Sequence, residues 1–417
     1  MHWYGSFAVL ICLLVYHIVG ELVTRREEAR WRDAAIDSSE STVAKTRRQL
    51  DTTAPTSGAP VSGPWKGWRE MVVRSIRDES PDCRSFTLAP VDLGGLPPFH
   101  GGQFLTLRCQ DPVTGKKLSR CYSLSSSPGE DTYRITVKRV RGGAMSNLLH
   151  DHVRINDVLD VQTPKGSFHL KEESNGRPVH LIAAGIGITP MISMLMERLE
   201  AGVRHPIHLH YQLRDSHNAP FLKLLRQTVS ALPCEIPVRL HVWLSRPGAT
   251  CQHDGDRVGR LDAERILAQA ESVDGSFMIC GPSSFMSGIA EGLVASGVAE
   301  GDVHYESFGG KSTGVGAIAV EQRPQDDEPD SSTGFRIQFA ASSKSATWNA
   351  GSGSLLDLAE NHGLELESSC RSGDCGMCIQ RIRCGRVRYA QPPSCEMEQG
   401  DVVMCVAAPA EDVTLEV

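Results

Sequence analysis

An excess of basic residues is missing from this chain. Its 417 residues carry 43 Lys and Arg against 50 Asp and Glu, a formal net charge of −7, so nothing points to nucleic acid as a partner. Internal repeats are absent too, which excludes a repeat architecture. There is no disulfide framework. Of thirteen cysteines, nine (Cys12, Cys83, Cys109, Cys121, Cys234, Cys251, Cys280, Cys384 and Cys395) are scattered singly and odd in number, which suits a reducing compartment. What remains is an ordinary composition, 40% hydrophobic and 22% charged, on a chain long enough for two or three domains.

The N-terminus departs from that picture. Trp3 to Gly20 (WYGSFAVLICLLVYHIVG) holds no formal charge over 18 residues, the lower edge of what spans a bilayer. No Lys or Arg precedes it, whereas Arg25, Arg26, Arg30 and Arg32 follow, so the positive-inside rule turns the bulk of the protein toward the cytoplasm. A signal peptide would want a basic start and a small-x-small cleavage site, and neither is present. The expectation is a single-pass anchor over residues 1–23, contacting the bilayer.

Residues 24–64 are charged, then rich in Ser, Thr, Pro and Ala, and cannot bury enough apolar surface to fold, so they read as a tether. A second break at 323–334 (RPQDDEPDSSTG) sets off a cysteine-rich tail, 335–417. The block between changes character near residue 175. Over 65–174, short β-rich runs (FLTLRC, RCYSLSS, YRITVKRV) separated by Gly and Pro suggest an antiparallel barrel. Over 175–322, strands HLIAAG, IHLHYQL, VRLHVWL and SFMICG alternate with helical stretches, one starting at Pro190, which argues for a parallel sheet covered on both faces. The tail returns to mixed β with one helix, SLLDLAENHG.

In the tail, Cys370, Cys375, Cys378 and Cys405 stand as C-x4-C-x2-C and a distant fourth, the plant-type spacing for a [2Fe–2S] cluster. Small residues in SCRSGDCGMC let the backbone wrap closely and aim N–H groups at the sulfurs. A structural zinc site, the alternative, would show two tight pairs. Cys405 falls in VVMCVAAP, which reads as a buried strand.

Upstream, RCYSLSSSP puts Arg120, Tyr122 and Ser123 on a strand, a guanidinium and a phenol suited to an anionic aromatic ligand. VKRVRGGAMSNLL sets two glycines before Ser146 and Asn147 at a helix start, where free N–H groups can take a phosphate; an ordinary glycine turn is the alternative. AAGIGITPMISML places Gly185 and Gly187 between a strand and a helix, without the third glycine of the usual dinucleotide fingerprint. MICGPSSFM carries Cys280, Gly281 and Pro282 after a strand, where a lone Cys is by default a packed thiol.

Together these motifs, with PFHGGQFLTL and HYESFGG, resemble the ferredoxin–NADP reductase family, and the tail resembles a plant-type ferredoxin. The order is that of reductase components serving oxygenases and desaturases, and of the reductase of the hybrid cluster protein. The resemblance implies a multidomain chain: an antiparallel β-barrel flavin domain, an α/β nicotinamide domain and an α+β β-grasp ferredoxin domain, here with an N-terminal transmembrane helix. It implies that Tyr122 and Ser123 lie near the isoalloxazine, with Arg120 and Ser146 on the phosphates and Val137, Lys138, Gly143 and Met145 in further cofactor contacts. Gly185 and Gly187 would lie in the loop that approaches the pyrophosphate, Thr189 and Pro190 where nicotinamide meets flavin, and Cys280, Gly281 and Pro282 in the nicotinamide loop with Cys280 beside the hydride path, while Glu306 and Phe308 would close the module near the flavin.

Arg214, Ser245 and Arg246 could hold a 2′-phosphate, which favours NADPH over NADH. FAD is preferred, with FMN the alternative. The implied activity is an NAD(P)H-dependent flavin and iron–sulfur reductase serving an oxygenase, desaturase or cytochrome. A membrane-bound redox sensor with the same cofactors is the second reading, and a zinc-bound interaction module a third.

Overall fold

The computed structural model describes residues 63–417 apart from 93, 112–114, 116, 172–176, 204, 248–255, 271–272, 307, 309–333, 372, 390–391, 394 and 396. The anchor expected at 1–23, all but the end of the expected tether, and the linker up to residue 333 lie outside the described residues. Among those described, no helix is long and apolar enough to cross a membrane.

The first domain is an antiparallel six-stranded sheet in the order β4-β3-β6-β1-β2-β5. Its strands are β1 (Arg69–Ser80), β2 (Cys83–Pro90), β3 (Phe104–Gln110), β4 (Lys117–Ser123), β5 (Tyr133–Lys138) and β6 (Val158–Val161). A bridge between Leu124 and Ile135 brings the two edge strands together, so the sheet closes into a barrel. Alternation decides the inside: Met71, Val73, Phe86, Leu88, Leu105 and Leu107 have no exposed surface. Helix α1 (Ala144–Asp151) plugs this core with Met145, Leu148 and Leu149.

The second domain is a parallel sheet in the order β10-β9-β8-β7-β11-β12. It comprises β7 (Val179–Ala184), β8 (Ile207–Leu213), β9 (Val238–Leu244), β10 (Arg257–Val258), β11 (Ser276–Cys280) and β12 (Val303–Glu306). β7, β8 and β11 are buried at every position, as strands covered on both faces must be. On one face Leu181, Leu209 and Tyr211 pack against α2 (Ile188–Ala201) and α3 (Leu222–Ala231). On the other, Ile182, Phe277 and Ile279 pack against α4 (Ala263–Leu267) and α5 (Ser283–Ala295). Helix α2 begins at Ile188, two residues before the expected Pro190, because proline tolerates the first turn, where no N–H is needed.

The third domain is a mixed five-stranded sheet, β14-β13-β19-β15-β17, beside a short β16-β18 pair. Its strands are β13 (Phe335–Phe339), β14 (Lys344–Trp348), β15 (Ile379–Cys384), β16 (Val387–Tyr389), β17 (Asp401–Val403), β18 (Ala407–Pro409) and β19 (Val413–Leu415). Helix α6 (Leu355–Asn361) starts at a capping box in which Ser354 and Asp357 satisfy each other's backbone N–H, and it buries Leu355, Leu356, Leu358 and Ala359. One expectation is corrected here. VVMCVAAP is not one strand: β17 ends at Val403, β18 begins at Ala407, and Cys405 occupies the turn between them. The turn takes Cys405 off the pleat, so its sulfur can reach across to Cys378.

Candidate functional site

The four ligand-type cysteines converge. Cys375, Cys378 and Cys405 are buried and Cys370 is half-buried. The N–H of Cys370 points at the sulfur of Cys375 (3.4 Å) and the N–H of Cys375 at the sulfur of Cys370 (3.3 Å). The backbone between them is left-handed at Arg371 (φ 57°) and Gly373 (φ 86°), and again at Gly376 (φ 74°), which curls the loop around its own sulfurs. Strain at the non-glycine Arg371 is offset by its guanidinium, which binds Asp357 (3.0 Å) and Glu360 on α6.

Hydrogen bonding with Cys121 and Cys370, then burial, drives the Cys375 thiol well above the usual range; hydrogen bonding with Cys370 and Cys378, then burial, does the same to Cys405, while hydrogen bonding from Cys405 lowers Cys378. Four sulfurs facing one another in pairs, with amides aimed at two of them, fit a [2Fe–2S] cluster. Cys384 is exposed and Cys395 half-buried; neither belongs to this set.

The nucleotide motifs gather where the strand order reverses between β7 and β11, the usual place for a ligand in a parallel sheet. A turn over Gly185–Gly187 leads from β7 into α2. Gly187 admits no substitute, since a Cβ there would lie 2.2 Å from the carbonyl oxygen of Cys280. That contact seats the turn directly against the end of β11, beside Gly281 and Pro282. Thr189 donates to the carbonyl of Ile186 (3.1 Å) and is buried with Pro190. Arg214, Ser245 and Arg246 come together at the ends of β8 and β9, all exposed, with Ser245 N donating to Leu213 O (3.0 Å) and Arg246 N to Arg214 O (2.8 Å).

On the barrel, Arg120, Tyr122 and Ser123 lie along β4. Helix α1 opens after Gly143 with no side-chain cap and no acidic residue in its first turn, so no side chain of its own competes with an anion for its leading N–H groups. Ser146 Oγ accepts from Val140 N (3.2 Å) and so holds that glycine turn in shape. Met145 and Val137 lie in the barrel core, so only their backbone can face a ligand; Lys138 pairs with Asp82 at 3.4 Å, and Phe308 is exposed.

The barrel and the parallel sheet are joined through α2. Ser193 Oγ donates to Ser126 O (2.8 Å), and Gly101 N donates to Glu197 (3.1 Å). At the same junction Ser123 Oγ donates to Glu306 at the end of β12 (3.3 Å). Burial and the Asp374 carboxylate of the ferredoxin domain push the Glu306 carboxyl up to about 8, against the lowering effect of Ser123. Burial and Glu306 likewise hold the Cys280 thiol far above its ordinary value. Ser123 and Glu306 therefore meet across the first two domains, within reach of the charge on Asp374 of the third.

The sequence reading does not single out three side chains that cross from the barrel to the cluster loop. Lys165 Nζ donates to Cys375 O (3.1 Å), Gln162 Nε2 to Met377 Sδ (3.4 Å), and Cys121 Sγ lies 3.1 Å from Ser369 Oγ. Only Cys121 carried a local signal, its place inside RCYS. Nor does that reading notice four imidazoles on one face of the parallel sheet. His180 and His210 meet at 3.4 Å and His208 and His241 at 3.2 Å, with Arg257 donating to His241 Nδ1 (2.9 Å). Arg can only donate, so His241 carries its proton on Nε2 and donates to His208 Nδ1.

Comparison with known proteins agrees with this division. An oxidoreductase FAD-binding domain model matches residues 70–170, an oxidoreductase NAD-binding domain model 181–291, and a 2Fe-2S iron-sulfur cluster binding domain model 340–410. A flavohemoprotein of Rhizobium meliloti is 34% identical over 265 residues, covering 60% of this chain and 62% of that protein. One from Halalkalibacterium halodurans is 33% identical over 319 residues, covering 72% and 75%. The chain thus spans under two thirds of the length of several relatives it matches.

Among solved structures, the FAD/NAD-binding domain of nitric oxide dioxygenase from Vibrio cholerae O1 biovar El Tor aligns with TM-score 0.52 and 29% identity, covering 58% of this chain and 99% of that one. Phthalate dioxygenase reductase, a modular structure for electron transfer from pyridine nucleotides to [2Fe-2S], aligns with TM-score 0.52 and 25% identity over 84% and 98%. With all three modules matched in that order, the chain belongs to the ferredoxin–NADP reductase-type flavoproteins that carry a C-terminal plant-type [2Fe–2S] domain.

Proposed function

We propose that this protein takes electrons from NAD(P)H and delivers them singly to a redox partner, an oxygenase, desaturase or cytochrome. The observation that carries this reading is that the barrel bonds both other domains, Ser123 to Glu306 of the nicotinamide domain (3.3 Å) and Lys165 to the carbonyl of the ligand-type Cys375 (3.1 Å). When bound, the flavin supplies the change from two-electron to one-electron chemistry, and the cluster holds one electron at a time.

The chain's own residues do the rest. The Gly185–Gly187 turn and the N-terminus of α2 bind the pyrophosphate of the nicotinamide nucleotide, and the close seat of Gly187 on Cys280 fixes where its ring can lie. Ser123 and Glu306 close the far side and exclude water. Because Glu306 keeps its proton to about pH 8, it is a neutral donor near Ser123 at physiological pH. The uncapped start of α1 takes the phosphates of FAD. Arg214, Ser245 and Arg246 form an exposed basic corner that suits the 2′-phosphate of NADPH. The apolar Trp3–Gly20 stretch, followed by four arginines, holds the protein on the cytoplasmic face of a membrane, beside a membrane-associated acceptor.

The test is Cys378→Ser in the purified, cofactor-loaded protein. Reduction of cytochrome c by NAD(P)H should fall at least a hundredfold, while bleaching of the flavin absorbance proceeds at the wild-type rate. Loss of both steps together in a folded variant, or a wild-type protein without iron and sulfide, refutes the reading.

A further inference from the structure

The cluster loop is not enclosed by its own domain alone. Lys165, Gln162 and Cys121 all belong to the barrel, and each touches the segment that holds Cys370, Cys375 and Cys378. Of the three only Lys165 carries charge. It is not a loose surface lysine: Lys165 N donates to Phe104 O (3.0 Å) and Phe104 N to Lys165 O (2.9 Å), so its backbone is pinned to β3. Its ammonium donates to the carbonyl of Cys375 at 3.1 Å, and its charge also acts on the nearby Cys395 thiol. The other charges at this place differ from it in sign or are already committed. Arg371 is bound to Asp357 and Glu360, Asp374 is acidic, and Glu306 is held protonated.

Reduction of the cluster adds one negative charge. A fixed cation beside one of its ligands stabilises that added charge, the more so in partly buried surroundings. We propose that Lys165 of the flavin barrel sets the reduction potential of the cluster, raising it while the two domains are docked. The inference rests on the electron-transfer reading above and goes beyond it. Because Lys165 belongs to a different domain from the ligands, the setting lasts only as long as the contact. A docked cluster accepts an electron more readily, and one parted from the barrel is the stronger reductant.

The experiment is a redox titration of the full-length, cofactor-loaded protein, with the cluster read by electron paramagnetic resonance and the flavin by absorbance. Lys165→Gln should lower the equilibrium constant for cluster reduction about tenfold, a shift of about 59 mV for a one-electron couple, and leave the flavin potential in place. Lys165→Arg should keep the wild-type cluster potential, and so should Gln162→Leu, which removes a neutral contact of the same interface. An unchanged cluster potential in Lys165→Gln, with the cluster present and reducible by NAD(P)H, overturns the proposal. So does an equal fall in Lys165→Arg or in Gln162→Leu, since the charge would then not be the cause. A wild-type preparation with no cluster signal at all refutes instead the electron-transfer reading itself.

Discussion

The four imidazoles of the parallel sheet make acid a specific weapon against the nicotinamide domain. His180 and His210 have no exposed surface, and His180 Nε2 and His210 Nδ1 lack a hydrogen-bond partner. Burial, helped by neighbouring imidazoles, holds His180 down to about 3 and His210 well below the ordinary 6.5; burial, His208 and Arg257 hold His241 at about 4. All three are therefore neutral in the fold at pH 5, while in the unfolded chain they are protonated below about 6.5. The unfolded state binds more protons in that window, so stability present above pH 6.5 is lost as pH falls toward 3–4.

For a histidine that titrates at 6.5 unfolded and stays neutral in the fold, the loss by pH 5 is about 2 kcal/mol. The fully enclosed pair then loses about 4 kcal/mol, a large share of a domain's whole stability. Urea unfolding followed by circular dichroism at 222 nm is a suitable assay. The three longest of the helices in the described residues, α2, α3 and α5, all belong to this domain. The midpoint should drop steeply between pH 7 and pH 5, and His180→Asn should take about one proton out of the slope. A midpoint flat across that interval, or a slope unchanged in His180→Asn, refutes the reasoning.

Three further outcomes follow from geometry already described. Gly187→Ala should destabilise the nicotinamide domain by about 3 kcal/mol or more and abolish NAD(P)H binding by calorimetry, because a Cβ 2.2 Å from Cys280 O must push the turn off β11; retained nucleotide affinity would count against the close seat. In flavin-free protein, Glu306→Gln should be the more stable form by a margin that grows from about pH 5 to 8 and then levels, at up to about 1.4 kcal/mol per pH unit, since the raised wild-type carboxyl loses stability as pH climbs through its own titration; a margin independent of pH in thermal melts would contradict the buried proton. Arg246→Ala should raise KM for NADPH about tenfold and leave that for NADH alone, and an equal effect on both nucleotides would remove the 2′-phosphate role.

Local pattern carried the sequence reading far. IHLHYQL and VRLHVWL are β8 and β9 to the residue, because short β-branched and apolar-alternating runs between turns leave few other solutions. The cysteine spacing is equally legible, since one loop must hold three ligands. Local pattern fails where distance in the chain is bridged by the fold. Cys405 looks like a strand residue because its neighbours are apolar, yet it needs a turn to face Cys378. His180, His208, His210 and His241 each look like one polar position in a strand, and only the register of three strands stacks them. Lys165 and Gln162 reach residues more than two hundred positions away, where no spacing rule applies.

The end of β4 has a consequence for how such proteins can be assembled from modules. Cys121 meets Ser369 of the ferredoxin domain, Tyr122 packs against the barrel core, and Ser123 meets Glu306 of the nicotinamide domain, so three neighbouring residues serve three different domains. Because side chains alternate along a strand, sliding β4 by one position against β3 would misdirect every one of them at once. A ferredoxin module can be exchanged for another, or lost, without touching the barrel core. It cannot be exchanged across a change in this register, which makes the β3–β4 pairing the coupling standard to which every interchangeable part has to be cut.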